Sequence, residues 1–257
     1  MVDPRSPETI RAFAKSVGDI ADIIQKENPA TLLIPLKGAV PLIDVLSIMD
    51  SAVLDREHEY IPASSSMVDV KHILYSWMRN YLEETHIAGT QQYLLSLDEV
   101  KSGNSAMRVW KQVNRAIADH AREHKLEKEE FVYRTVGLED QRHFTERKKE
   151  YNDAYLRMKK EGIIISVPVP MIITMDRPEL CPINLVNIPG ERAHKALPVM
   201  QTFAMTPEYL QLLESICSIV GRDFADVEFQ RVGAIRASEH YLPEKYTSLE
   251  SYLQAKS

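Results

Sequence analysis

The chain has 257 residues, 44% of them apolar and 26% charged, a composition that excludes a disordered chain, collagen and a disulfide scaffold. Its 31 basic and 37 acidic residues leave a net charge of −6, a field that repels nucleic acid. Cys181 and Cys217 are too few and too far apart for a zinc cage or a disulfide framework, and no apolar leader follows a basic start; both features predict a reducing, cytoplasmic setting. The most apolar stretch, 162–175, is shorter than the roughly 20 residues of a membrane span and holds Pro168 and Pro170, so no membrane association is expected.

Along the chain, Ser6-Pro7 supplies a cap and a first-turn proline. Ile10, Phe13, Ala14, Val17, Ala21 and Ile24 then recur at helical spacing and predict a helix over 7–26. Thr31 to Pro35 reads as a buried strand, Leu36-Lys37-Gly38-Ala39 as a tight loop, and Pro41 as the opening of a helix carrying Leu42, Val45, Leu46 and Met49. A second strand is predicted at 60–63. Behind it, Ser64-Ser65-Ser66 reads as a phosphate contact or a helix cap, and Met67, Val70, Ile73, Leu74, Trp77, Met78 and Tyr81 mark a helical insertion within 66–90 whose stripe reads as a packing face.

The third strand, 93–97, runs into Asp98-Glu99-Val100-Lys101-Ser102-Gly103-Asn104-Ser105, and a helix follows with Ala106, Val109, Trp110, Val113, Ala116 and Ile117 on one face. On that helix His120 and His124 stand four apart with no third ligand apparent, which reads as a solvated pair. A fourth strand is expected at 131–136. Glu139-Asp140 then reads as a contact to an acceptor on the ligand edge or as the cap of a charged helix over 141–160, followed by a fifth strand at 163–167 and a helix from Pro207 to Val220 ended by Gly221.

Strands alternating with helices predict an α/β fold: an open, mainly parallel five-stranded sheet with helices on both faces, an N-terminal helix and an irregular C-terminal extension. We read one domain over 1–257, divided into 1–30, a core of 31–175 and an extension of 176–257. In such a sheet ligands bind outside the strand C-termini. The polar loops at 36–39 and 98–105 both fall there, and a loop opening a helix offers free N–H groups and a helix dipole to a phosphate. No GxGxxG follows the first strand and no GxxxxGK[ST] or GxSxG occurs, so dinucleotide, P-loop and hydrolase readings lack a motif.

YLLSLDEVKSGNS resembles the ribose-phosphate loop of type I phosphoribosyltransferases, and Leu36-Lys37-Gly38-Ala39 is similar to that family's pyrophosphate loop, in the same order. The resemblance spans roughly 30–175. It implies transfer of a phosphoribosyl group from 5-phosphoribosyl 1-diphosphate (PRPP) to a nitrogen acceptor, with Mg2+ as cofactor and a sugar phosphate or nucleotide as ligand. It further implies that Asp98 and Glu99 hold the ribose hydroxyls and, through them or water, the Mg2+. Lys101, Ser102, Gly103, Asn104 and Ser105 would surround the 5-phosphate, with Leu36, Lys37 and Gly38 at the pyrophosphate and Lys37 aiding its departure. A homo-oligomer is expected. Two features depart from the family: the loop from the acidic pair to the glycine is one residue short, and Lys101 stands where purine-salvage members have an acid. The alternative is a noncatalytic nucleotide- or PRPP-binding regulatory protein that keeps the fold.

Overall fold

The computed structural model describes residues 6–35, 39–63, 70–127, 130–142, 151–173, 185–187, 196–198 and 206–227. Helix α1, Pro7–Glu27, begins where the Ser6 hydroxyl accepts the Thr9 N–H at 3.2 Å, and it ends at Asn28 in the left-handed region. Then follow β1 (Thr31–Pro35), α2 (Val40–Met49), β2 (His58–Ile61), α3 (Val70–Thr85), β3 (Gln92–Val100), α4 (Asn104–His124), β4 (Phe131–Asp140), α5 (Asp153–Lys160) and β5 (Ile164–Val169). Leu185–Asn187 and Ala196–Pro198 pair antiparallel as β6 and β7, and α6 spans Pro207–Val220.

The five main strands form one sheet in the order β2-β1-β3-β4-β5, and every neighbouring pair is parallel. The expected parallel α/β architecture is thus observed, with β3 at the centre. Strand alternation sorts the core into two faces. Leu32 and Ile34 of β1, Leu95 and Leu97 of β3, and Val136 and Leu138 of β4 pack with α1, α2 and α6. Leu33, Leu94, Phe131 and Tyr133 face the other way, against α3 and α4. Val100 and Ile164 pack beside them with the start of α4 and with α5.

Several boundaries differ from expectation. Both β3 and β4 continue past the predicted ends at 97 and 136, keeping register through Asp98↔Gly137, Glu99↔Leu138 and Val100↔Glu139. The acids there read as loop residues in the sequence. As strand residues they are tolerated because β4's pair is neutralised: Lys159 Nζ lies 3.0 and 2.9 Å from the two Glu139 oxygens, and Arg142 grips Asp140 through its guanidinium. Asp140 Oδ1 also accepts the N–H of Arg142, the first helical residue after the strand, at 3.0 Å, so of the pair it is Asp140 that takes the expected capping role, from the strand end. The charged helix predicted over 141–160 is not continuous: residues 151–152 are non-helical, and Asn152 Oδ1 caps α5 by accepting the Ala154 N–H at 2.9 Å. Residues 143–150 lie outside the described ones.

Within the C-terminal extension, α6 and the residues that follow it dock on the α1/α2 face. Tyr209 Oη donates to Asp44 Oδ2 at 2.6 Å, and Arg222 caps the Ser47 carbonyl at 2.5 Å. Asp44 is fully buried. Tyr209→Phe therefore withdraws a donor from a buried carboxylate and should cost about 1–3 kcal/mol in urea denaturation; an unchanged midpoint would show that α6 does not depend on this bond.

Candidate functional site

From β1 the chain passes through α2 on one face to β2, and from β3 it passes through α4 on the opposite face to β4. The strand order reverses between β1 and β3, so the crevice outside their C-termini is the topological switch point. The Leu33↔Ser96 register sets the ends of both strands on the same sheet edge. Leu36, Lys37 and Gly38 lie outside the described residues. Their loop is closed at its base by the Ala39 N–H donating to the Pro35 carbonyl at 3.1 Å.

The helices opening onto this crevice differ from α1, α5 and α6. Helices α1, α5 and α6 are capped by the side chains of Ser6, Asn152 and Thr206, and each has an acid in its first turn: Glu8, Asp153 and Glu208. Helices α2 and α4 start at Ala39 and Gly103 with neither a side-chain cap nor a first-turn acid. Their N-terminal dipole charge is not met by a capping side chain or a first-turn carboxylate, and the first-turn amides of Asn104, Ser105 and Ala106 point beyond the helix end.

Gly103 sits at φ +77°, which bends the chain from the Lys101-Ser102 turn into α4. Opposite it lies Tyr155 of α5, fully buried. A Cβ on Gly103 would fall within 2.6 Å of Tyr155 Cβ and Cδ2, and one on Gly137 would stand 3.0 Å from the Tyr155 hydroxyl. Gly103, at the start of α4, and Gly137, within β4, thus make room for one ring. The cap residue of α5 also clamps the turn: the Asn152 N–H donates to the Ser102 carbonyl at 2.9 Å, and Asn152 Nδ2 donates to Asn104 Oδ1 at 2.8 Å. Tyr155 Oη donates to Glu139 at 2.8 Å, extending the contact to Lys159. Nothing local in the sequence ties Asn152, Tyr155 and Lys159 to the turn, since Asn152 already lies 48 residues beyond Asn104; only the aromatic spacing Tyr151, Tyr155 with Met158 hints at a buried face.

Asp98 is 7% exposed, on the face shared with Val100, Ser96 and Tyr133. Ser96 Oγ lies 2.9 Å from both Tyr133 Oη and Thr135 Oγ1, a buried hydroxyl ladder two residues upstream. Burial pushes the Asp98 carboxyl up to about 7, against the opposing pull of the Glu99 N–H and the Arg108 charge. Its Oδ2 is buried with no hydrogen-bond partner among the described residues. Glu99, the next strand residue, leaves from the other face.

This bears on the expected Mg2+. Two adjacent strand acids pointing to opposite faces do not converge on one octahedral ion, and a carboxyl that keeps its proton to about pH 7 is a poor ligand for a hard cation. Direct coordination of one ion by both carboxylates does not fit this geometry; the expected contact runs through ribose hydroxyls or water, and no step below passes through the ion.

The insertion helix α3 packs against α4. Leu74, Met78 and Leu82 are buried with Val109, Val113 and Ala116, and Trp77 stacks on Tyr81 at 5.3 Å. No helix among the described residues is long and apolar enough to cross a membrane.

The fold is that of a doubly wound parallel α/β protein whose switch point is bordered by two helix N-termini without side-chain caps. The sequence matches no family model and no curated protein. Among solved structures it is similar to the HGPRT-ase of Leishmania tarentolae in complex with GMP, with 16% identity and a TM-score of 0.33 over 63% of this chain and 79% of that one. It is also similar to the hypoxanthine phosphoribosyltransferase of Trypanosoma cruzi, with 16% identity and a TM-score of 0.32 over 64% of this chain and 79% of that one.

Proposed function

We propose that the chain binds a ribose phosphate carrying a diphosphate at the β1/β3 switch point and transfers the phosphoribosyl group from PRPP to a nitrogen acceptor. The observation that carries this reading is the pair of α2 and α4 N-termini, without side-chain caps or first-turn acids, on either side of the switch point. One suits the diphosphate, with Lys37 and Gly38 of the adjoining loop; the other suits the 5-phosphate, with the amides and side chains of Ser102, Asn104 and Ser105. Glu99, partly exposed near the end of β3, is the acid this reading assigns to a ribose hydroxyl. Asp98 is buried on the opposite face of the strand. In the reaction the C1–oxygen bond to pyrophosphate breaks, the C1–nitrogen bond forms, and the proton of the acceptor nitrogen leaves to solvent.

A second reading is favoured by one observation: Asp98 is buried, on the strand face opposite to Glu99. Under it the protein binds PRPP or a nucleotide without transfer.

Calorimetric titration with PRPP, followed by an assay for pyrophosphate on adding nucleobases, separates the two. Binding with pyrophosphate release supports transfer, binding alone supports the second reading, and absence of binding refutes both. Ser105→Asp provides the control. A carboxylate in the first turn of α4 should raise stability by up to about 1 kcal/mol through the helix dipole, yet weaken phosphate binding at least tenfold by occupying its place with like charge.

A further inference from the structure

Helices α3 and α4 run side by side with polar rungs every four residues. Tyr75 Oη donates to Asp119 at 2.7 Å, and Arg79 Nη2 donates to Glu123 at 2.5 Å. At the third rung the pairing changes character: Glu83 Oε1 stands 3.1 Å from His120 Nδ1 and 2.9 Å from His124 Nε2. The three ligand atoms lie within 4.8 Å of one another. The solvated histidine pair expected from sequence is thus incorrect, since His120 is 3% exposed and α3 supplies the third group.

We infer that Glu83, His120 and His124 form a binding site for a zinc-class divalent ion, with its fourth position open to solvent. Two imidazoles and one carboxylate are a donor set that zinc uses where it keeps one open position. For metal–ligand bonds of about 2.0–2.1 Å, a tetrahedron separates its ligand atoms by about 3.3 Å. The two observed carboxylate–imidazole separations need only a few tenths of an ångström of expansion to reach it. Histidines four apart on one helix face present their rings to one point.

The surroundings hold that geometry. The His86 ring lies against that of His120 with centroids 5.4 Å apart, and its Nε2 is 3.3 Å from Glu130. Arg79 also approaches Glu83, at 3.3 Å, but Glu123 takes both its terminal nitrogens, so it keeps a full counter-charge when Glu83 turns to a cation. Beneath the rung the apolar seam of α3 and α4 fixes the helix spacing. Glu83 and His124 are 42% and 45% exposed, which leaves an entry path.

The site lies at the far end of α4 from the switch point. Its 21 residues span about 30 Å, so this inference stands independently of the proposed function.

The test uses the full chain stripped with a chelator and titrated with Zn2+ by calorimetry, and with Co2+ by visible absorption. One equivalent should bind, and Co2+ should give the intense bands of tetrahedral coordination. His124→Ala and Glu83→Gln alter exposed positions and should keep the fold, checked by circular dichroism. Each should weaken Zn2+ binding by about 100-fold or more, the loss of a direct ligand exceeding the 10–100-fold typical of outer-sphere changes. Absence of binding to the wild type, or binding unchanged in both variants, overturns the site.

Discussion

Gly103→Ala should lower the free energy of unfolding by about 3 kcal/mol, with most of the loss traceable to one aromatic ring. Two costs add. The backbone at φ +77° is one that an L-residue adopts only with about 1–2 kcal/mol of strain. The new methyl would also overlap Tyr155, whose ring is fully buried and pinned through Glu139, and overpacking of this kind costs about 1–3 kcal/mol. Tyr155→Ala alone should cost about 3–5 kcal/mol for its lost burial and the cavity it leaves. In that background Gly103→Ala should lose only the backbone strain, so the two changes are strongly non-additive. A denaturant double-mutant cycle with no coupling would show that Tyr155 does not shape the turn. Because the same turn launches α4, Gly103→Ala should also weaken any phosphate held there, whereas Tyr209→Phe, on the opposite face, should not.

The second large effect concerns pH. A folded Asp98 carboxyl keeps its proton to about pH 7, whereas an unfolded one loses it near 4. Between these values the native state binds the extra proton, so stability falls as pH rises. The contribution is intact below about pH 4 and lost by about pH 7, for a total of about 4 kcal/mol over roughly three units. Asp98→Asn cannot ionise. Its stability curve should therefore lie at or below that of the wild type near pH 4 and clearly above it at pH 8, the two crossing in between. Parallel curves over that range would mean that Asp98 is not held neutral by its surroundings. An anionic ligand at the α4 N-terminus should bind better when Asp98 carries no charge, so phosphate affinity in the wild type should decline above about pH 7 more steeply than in Asp98→Asn.

Much of the architecture was legible in the residues themselves. The 3.6-residue stripe of Phe13, Val17 and Ile24, the Ser6-Pro7 start and the Pro207 to Gly221 helix are local signals, set by spacing and capping chemistry, and each appears where expected. Apolar runs such as Thr31 to Pro35 could be assigned to a buried parallel strand because both faces are apolar. Strand ends were not legible. Asp98, Glu99, Glu139 and Asp140 carry the composition of loops, and whether charged residues extend a strand depends on what neutralises them; Lys159 and Arg142 do so for the β4 pair only after folding.

The candidate site divides in the same way. Spacing along the chain brought the 98–105 turn and the 36–39 loop to attention, since both follow apolar strands. That they open the two adjacent strands of a switch point is a property of the β2-β1-β3-β4-β5 order, which no local pattern encodes. The opposite directions of Asp98 and Glu99 follow from β3 continuing as a strand, and the closure of the turn by Asn152 and Tyr155 depends on α5 returning to it, with Asn152 already 48 residues beyond Asn104. His120 and His124 were visible as a pair from their four-residue spacing, but their partner Glu83 lies 37 residues earlier and becomes a neighbour only when α3 packs on α4. Periodicity and caps are short-range interactions and act within a few residues, so the sequence alone determined the elements and their buried faces. Convergence of side chains from separate elements depends on sheet order and helix packing, so the tertiary structure alone decided which polar groups meet.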